Sequence, residues 1–434
     1  MAAATPSRAH VAERLTAGTI GATWILWITG GLYFAGPVLG WALALLAVRA
    51  WYLAPVLPEA ERPAHLPRSL WAWLIGMAVM LVVLLIGHAD FGLGTAQTIK
   101  SAVGWAKGWA LLALFPFAGF ALPIRVETLS RAVCKLGLQT LILLPLFLAA
   151  PFVGLPQKLW VSPLAVLGGS GDEYFAAILY TIEPGVGTAR WQFFAPWSPA
   201  AGMVAVIHFL LARMEPDAKW RWTGYTASIL VALLSQSRLA LNALAVIMPL
   251  AWLAGKVRGP ALWLSTAALV LIGSWFSPQL QALVDKMSSD FSSARADSSR
   301  VRAALGRIAV QRWQSEAYWF GHGIVERGPH MVEYMPIGSH HTWYGLLFVK
   351  GLAGAMALAV PMMWMLVATF RAAMDSKVGR LGFAMALTYW LYSFGENLEV
   401  LTYIAWPALL AIGIALKPGP ARAPEPPDTE PAAG

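Results

Sequence analysis

Histidine is concentrated in one short stretch of this chain. Four of its eight histidines, His322, His330, His340 and His341, fall between positions 322 and 341. An imidazole titrates near neutrality and so can take a proton from a hydroxyl at ordinary pH. The stretch opens on a Gly321-His322-Gly323 turn, continues through Glu333 and Pro336, and closes with Ile337-Gly338-Ser339-His340-His341-Thr342-Trp343-Tyr344. For His322 and His330 a hydrogen-bonded structural role competes with a chemical one. Metal binding is disfavoured: no His pair beyond the adjacent His340-His341 offers ligand spacing, and the single cysteine, Cys134, lies elsewhere. There is no Asp-x-Asp pair to hold a divalent cation and no Gly-rich phosphate loop ending in Lys-Ser/Thr. No metal and no cofactor is expected.

Arginine supplies a second component. Arg190 lies in Thr188-Ala189-Arg190-Trp191-Gln192-Phe193-Phe194-Ala195-Pro196-Trp197-Ser198, and Arg238 closes Ser235-Gln236-Ser237-Arg238. Both stand beside apolar stretches, where a charge is costly unless paired. A guanidinium fork suits phosphate oxygens, with a lipid headgroup or a structural ion pair as alternatives. Further cations and Asp297 line the segment before the Gly-His-Gly turn, with Arg300, Arg302, Arg307 and Arg312 among them. Lys350 stands ten residues past His340, about 15 Å along a straight helix. A lysine at that depth is a functional candidate, caps a broken helix, or pairs with Glu396.

The elements that must hold these residues are membrane helices. Of 434 residues, 58% are hydrophobic and 12% charged, against about 25% charged in a soluble domain. Apolar stretches at 15–35, 37–56, 69–87, 101–122, 134–152, 198–213, 223–235, 238–255, 259–276, 341–369, 381–395 and 399–416 approach spanning length. The fold expected is therefore an all-α polytopic membrane protein of about twelve transmembrane helices with one large helical periplasmic loop. Its parts are an N-terminal arm (1–14), a membrane domain (15–276) containing an outer segment (153–197), the loop (277–340), a second membrane portion (341–416) and a disordered tail (417–434). With the N-terminus in the cytoplasm, every short inner segment carries at least two Lys or Arg and the short outer turns almost none. The net charge of +9 follows from that bias, so no nucleic acid is implied. Many of the 22 tryptophans, Trp41, Trp51, Trp71, Trp105, Trp160, Trp197, Trp220 and Trp222 among them, fall near span ends and read as interfacial anchors. No internal repeat is visible.

These residues carry a resemblance. The chain resembles the O-antigen ligase and O-antigen polymerase superfamily of bacterial envelope glycosyltransferases. The Arg190 segment resembles its Arg-x-x-x-Phe-x-Pro element, Ser235 to Arg238 its Ser-x-Ser-Arg element, and Asp297-Ser298-Ser299-Arg300 its Asp-Ser-x-x-Arg loop helix, followed by the Gly-x-Gly turn. Ser339 to Tyr344, then Gly351 and Gly354, resembles its His-Asn-x-aromatic segment, with His341 in the Asn position and Leu239 where Gly is common after the arginine. The resemblance covers about 180–360. It implies a metal-independent, O-antigen ligase-like transferase in the inner membrane. That enzyme would take a glycan from undecaprenyl diphosphate and pass it to a periplasmic acceptor hydroxyl, on lipid A core or another glycan, in lipopolysaccharide or surface polysaccharide biosynthesis. Arg190, Arg238 and Arg300 would hold the diphosphate. His340 or His341 would act on the acceptor, and Ser235, Ser237, Asp297, His322 and Lys350 would support them. The alternatives are a polymerase joining lipid-linked repeats, a protein O-oligosaccharyltransferase and, from another class, a polysaccharide or lipid transporter or flippase.

Overall fold

A computed structural model describes residues 8–56, 62, 64–168, 171–183, 187–257 and 296–418. The expected span at 259–276, the first part of the large loop and the tail from 419 lie outside the described residues. The chain is mostly helical. Six helices among the described residues are long and apolar enough to cross a membrane. In chain order the helices are α1 (Arg8–Gly21), α2 (Thr23–Ile28), α3 (Leu32–Tyr52), α4 (Arg68–Asp90), α5 (Gly94–Lys107), α6 (Trp109–Ala121) and α7 (Val126–Ala149). They continue with α8 (Ser198–Ala212), α9 (Ala218–Leu234), α10 (Arg238–Ala254), α11 (Ala296–Glu316), α12 (Thr342–Asp375), α13 (Lys377–Ser393) and α14 (Leu398–Ala415).

Most of the expected stretches are helical with shifted ends, and three differ in kind. The stretch at 15–35 divides among α1, α2 and the start of α3, because the chain turns at Thr29-Gly30-Gly31. Gly30 has φ +74, and a Cβ there would collide with Ser162. The stretch at 101–122 breaks at Gly108 into α5 and α6. The stretch at 341–369 runs on to Asp375 and contains a break at Gly351. Hydropathy reports none of these breaks, since each is a backbone event inside apolar sequence.

The innermost helix is α14, 16 of whose 18 residues are buried. Small residues let its neighbours approach: Gly36 of α3 faces the Tyr403 backbone, and Gly119 of α6 faces that of Leu410. The outer segment folds into two short antiparallel ladders, β1 (Lys158–Val161) with β2 (Ala176–Ile178) and β3 (Thr181–Ile182) with β4 (Ala189–Arg190). Ser162 fastens it to the α2–α3 turn by donating Oγ–H to the Thr29 carbonyl at 2.8 Å.

Two tryptophans expected at the lipid boundary also bind other helices. Trp41 Nε1 donates to the Ala106 carbonyl at 3.0 Å and Trp105 Nε1 to that of Met77 at 2.9 Å. An indole N–H beside apolar surface needs an acceptor, and these two find helix carbonyls.

Candidate active site

The two arginine motifs, some forty-five residues apart in sequence, interlock. Arg190 stands in β4. Its Nη2 donates to the Ser235 carbonyl at 3.4 Å, and its Nε lies 3.7 Å from Glu183 Oε2. Gln236 adopts φ 51 and returns the contact, donating Nε2–H to the Ala189 carbonyl at 3.2 Å. The Trp191 N–H donates to the Leu234 carbonyl at 3.3 Å. Ser237 caps α10 by accepting from the Ala240 N–H at 3.4 Å, and Ser235 donates its hydroxyl to the Ala232 carbonyl at 3.0 Å. Gly202 of α8 makes room for this turn, because a Cβ there would collide with Ser237 Oγ. Arg238 is half-buried at the head of α10.

Beside this turn runs the short link between α13 and α14, Phe394-Gly395-Glu396-Asn397. A Cβ on Gly395 would lie 3.2 Å from Leu239 Cδ2. Glu396 is 1% exposed, and Trp197 Nε1 donates to its Oε2 at 2.8 Å. Trp197, expected as an anchor, thus serves a buried carboxylate. The same link holds the head of α12. Thr342 donates its hydroxyl to the Glu396 carbonyl at 2.6 Å and accepts from the Leu398 N–H at 3.0 Å. The His341 N–H donates to Asn397 Oδ1 at 3.2 Å. Neither Glu396 nor Asn397 belongs to a motif: in the sequence Glu396 stood out only as a possible partner of Lys350, and Asn397 not at all. The signal was a polar pair in a four-residue link between apolar helices.

The geometry gives the two adjacent histidines different work. His341 caps α12: its Nδ1 accepts from the Tyr344 N–H at 3.3 Å, and its ring stacks on Tyr344 with centroids 3.9 Å apart. His340 has φ 61, a left-handed conformation that a non-glycine residue holds only where its surroundings enforce it. Arg302 of α11 acts electrostatically on both His340 and Glu396. Burial pushes His340 down to about 4, with Arg302 adding to the effect. Burial also lowers His341. Burial raises Glu396 to about 7, against the opposing pull of the Trp197 hydrogen bond and Arg302. At neutral pH His340 is therefore a neutral imidazole, and Glu396 is the group poised to gain or lose a proton.

Beyond this centre the loop is threaded into the break in α12. At Gly351 (φ 62, ψ −165) the helix loses its ladder, and residues 318–323 satisfy the freed groups. The Leu352 N–H donates to the Tyr318 carbonyl at 2.9 Å and the Ala353 N–H to that of Trp319 at 3.0 Å. In return the His322 N–H donates to the Phe348 carbonyl at 2.9 Å and the Gly323 N–H to that of Val349 at 3.0 Å. Backbone at such a depth must be paired in this way. Gly321 and Gly323 adopt positive φ, 68 and 79, and a Cβ on Gly321 would collide with the Lys350 N. His322 is buried here, with Nδ1 3.0 Å from the Phe348 carbonyl and Nε2 2.8 Å from Glu316 Oε2.

Lys350, 4% exposed, immediately precedes the break. The acidic group that acts on it electrostatically is Glu399, in the first turn of α14, and not Glu396, which was one of the alternatives. Of the remaining candidates, Arg300 is exposed on α11, His330 is exposed in the loop, and the side chain of Asp297 lies outside the described residues. Among the described residues no group of three or more His, Cys, Asp or Glu could hold a metal ion.

No family model matches the chain, and no curated protein matches it.

Proposed function

We propose that the chain is a multi-pass inner-membrane glycosyltransferase of the O-antigen ligase type. It takes a glycan from undecaprenyl diphosphate and passes it to an acceptor hydroxyl on the periplasmic side, without a metal. The observation that carries this reading is the convergence of the Arg190 strand, the Ser235–Arg238 turn and the His340–His341 head of α12 on the Glu396 link. Guanidinium groups at that junction suit a diphosphate leaving group, whose developing charge they neutralise as the glycosyl bond breaks. Twelve spans with this end outward fit the charge distribution. The ion pairs Arg125–Glu13 and Arg131–Glu215, and Lys417 on the Leu122 carbonyl, occupy the opposite ends of the helices, where a cytoplasmic face collects cations. A transporter reading draws on the broken helix and buried Lys350, but loop backbone fills that break group by group.

The test is the glycan profile of a deletion strain, with lipid-linked intermediates and lipopolysaccharide analysed side by side. Long polymer held on the polyprenyl lipid, with bare lipid A core, is the expected result. Single repeats on both would make the protein a polymerase. An unchanged profile in both fractions would overturn the reading.

A further inference from the structure

We infer that Glu396 is the proton acceptor for the attacking hydroxyl and that Trp197 is its positioning residue. This deepens the transferase reading and rests on it. Four histidines compete for the role, and the geometry argues against three of them. His341 spends Nδ1 on the cap of α12 with its ring stacked on Tyr344. His322 faces acceptor oxygens with both nitrogens. His330 is exposed in the loop. His340 is held in the left-handed conformation at φ 61, and the Arg302 charge that opposes its uptake of a proton acts on Glu396 as well, so it is the remaining competitor.

Glu396 differs from all four. Its Oε2 accepts from Trp197 Nε1 at 2.8 Å, while Oε1 makes no hydrogen bond among the described residues. Its backbone lies between the two halves of the site: a Cβ on Gly395 would lie 3.2 Å from Leu239 Cδ2 in the first turn of α10, and the Glu396 carbonyl receives Thr342 at the head of α12. A buried carboxylate held by one oxygen, with the other left without a hydrogen bond among the described residues, has the arrangement of a general base. The groups that act on it are Arg302 from α11, Tyr392 from α13 and the Trp197 indole. In the step, the acceptor oxygen bonds to the anomeric carbon as the bond from that carbon to the phosphate oxygen breaks. The diphosphate departs with the bonding electron pair, and the hydroxyl proton passes to Oε1 and then to water. Reactants and products balance without an added reagent.

The experiment uses the full chain in lipid nanodiscs. Undecaprenyl diphosphate is the binding probe, and transfer is followed from lipid-linked glycan extracted from the deletion strain. Glu396→Gln should lower transfer by about 100-fold or more, the scale of a lost general base, while binding the probe within about twofold of wild type. Trp197→Phe removes a hydrogen bond that favours the carboxylate, so it should move the acid-side midpoint of the transfer profile to higher pH. Wild-type transfer by Glu396→Gln would overturn the inference. So would an unmoved midpoint in Trp197→Phe, which decides the matter if Glu396→Gln fails to fold. A wild-type chain that neither binds the probe nor transfers glycan would instead sink the transferase reading itself.

Discussion

His322 Nε2 lies 2.8 Å from Glu316 Oε2, while its Nδ1 lies 3.0 Å from the Phe348 carbonyl oxygen. Both neighbours are hydrogen-bond acceptors, so each ring nitrogen of His322 faces an oxygen. The ring also stacks on Phe348 at 4.2 Å between centroids. A residue in the Gly-x-Gly turn thereby pins the loop to the break in α12.

The first prediction follows from that pin. Hydrogen bonds to Arg312, and then to His322, hold the Glu316 carboxyl down at about 2. A depressed carboxyl contributes stability that is present above its unfolded value and lost as pH falls through the folded value. Between pH 5 and 2 the loop should loosen, by about 1 kcal/mol once solvent screening of the exposed carboxylate is allowed for. Glu316→Gln should remove this pH dependence. Hydrogen exchange at the Leu352 and Ala353 amides, whose acceptors lie in the loop, reads it directly. Equal protection in wild type and Glu316→Gln across that range would refute the pin.

Gly351 gives a sharper test. Its φ is +62, and a Cβ there would collide with the Trp319 carbonyl. Gly92 also has positive φ, +58, but nothing lies within 4 Å of the place a Cβ would take. Gly92→Ala should therefore cost only the conformational strain, about 1–2 kcal/mol. Gly351→Ala must in addition push the loop off the break, and should cost at least about 3 kcal/mol in total. Gly104, helical and open, serves as control, and alanine there should be neutral or slightly stabilising. Melting temperatures of the three variants in one detergent should rank Gly104→Ala highest, Gly92→Ala next and Gly351→Ala lowest.

Some of this was legible in the sequence. The long apolar stretches foretold the membrane helices, and the polar run through Arg300 and Arg312 foretold α11. The motif residues Arg190 and Ser235 do meet. What pattern could not give was the partner of each charge. Glu396 was one candidate partner for Lys350, yet Glu396 receives the Trp197 indole and the acidic group that acts on Lys350 is Glu399. The helix break at Gly351 depends on carbonyls supplied from elsewhere in the fold, which local hydropathy does not encode.

The electrostatic interaction between buried Lys350 and half-buried Glu399 makes its own prediction. Removing one charge leaves the other uncompensated, at a cost of up to about 3 kcal/mol, whereas removing both is close to neutral. Lys350→Met and Glu399→Gln should each lower the melting temperature strongly, and the double variant should recover most of the loss. A double variant as unstable as the sum of the singles would mean that the two side chains are not coupled.

A last pair separates stability from binding. At the far end of the bundle Arg131 Nη2 lies 2.6 Å from Glu215 Oε1, and its Nε donates to Oε2 at 3.0 Å. Glu215 is 1% exposed and Arg131 38%. The Arg131 hydrogen bond, with further help from the Asp217 N–H, holds the Glu215 carboxyl below its usual range. Its contribution is thus present at neutral pH and lost on acidification through that lowered value. Arg131→Ala strands the buried carboxylate and should lower the melting temperature, by less than either Lys350→Met or Glu399→Gln because the arginine is partly solvated. It should leave undecaprenyl diphosphate binding unchanged, since the pair fastens α7 to the α8–α9 link and touches none of the site. Arg190→Lys should do the reverse. A lysine keeps the positive charge but lacks the bidentate fork, so binding of the probe should weaken about tenfold with little change in melting temperature. Equal probe affinity in wild type and Arg190→Lys would remove Arg190 from the diphosphate site.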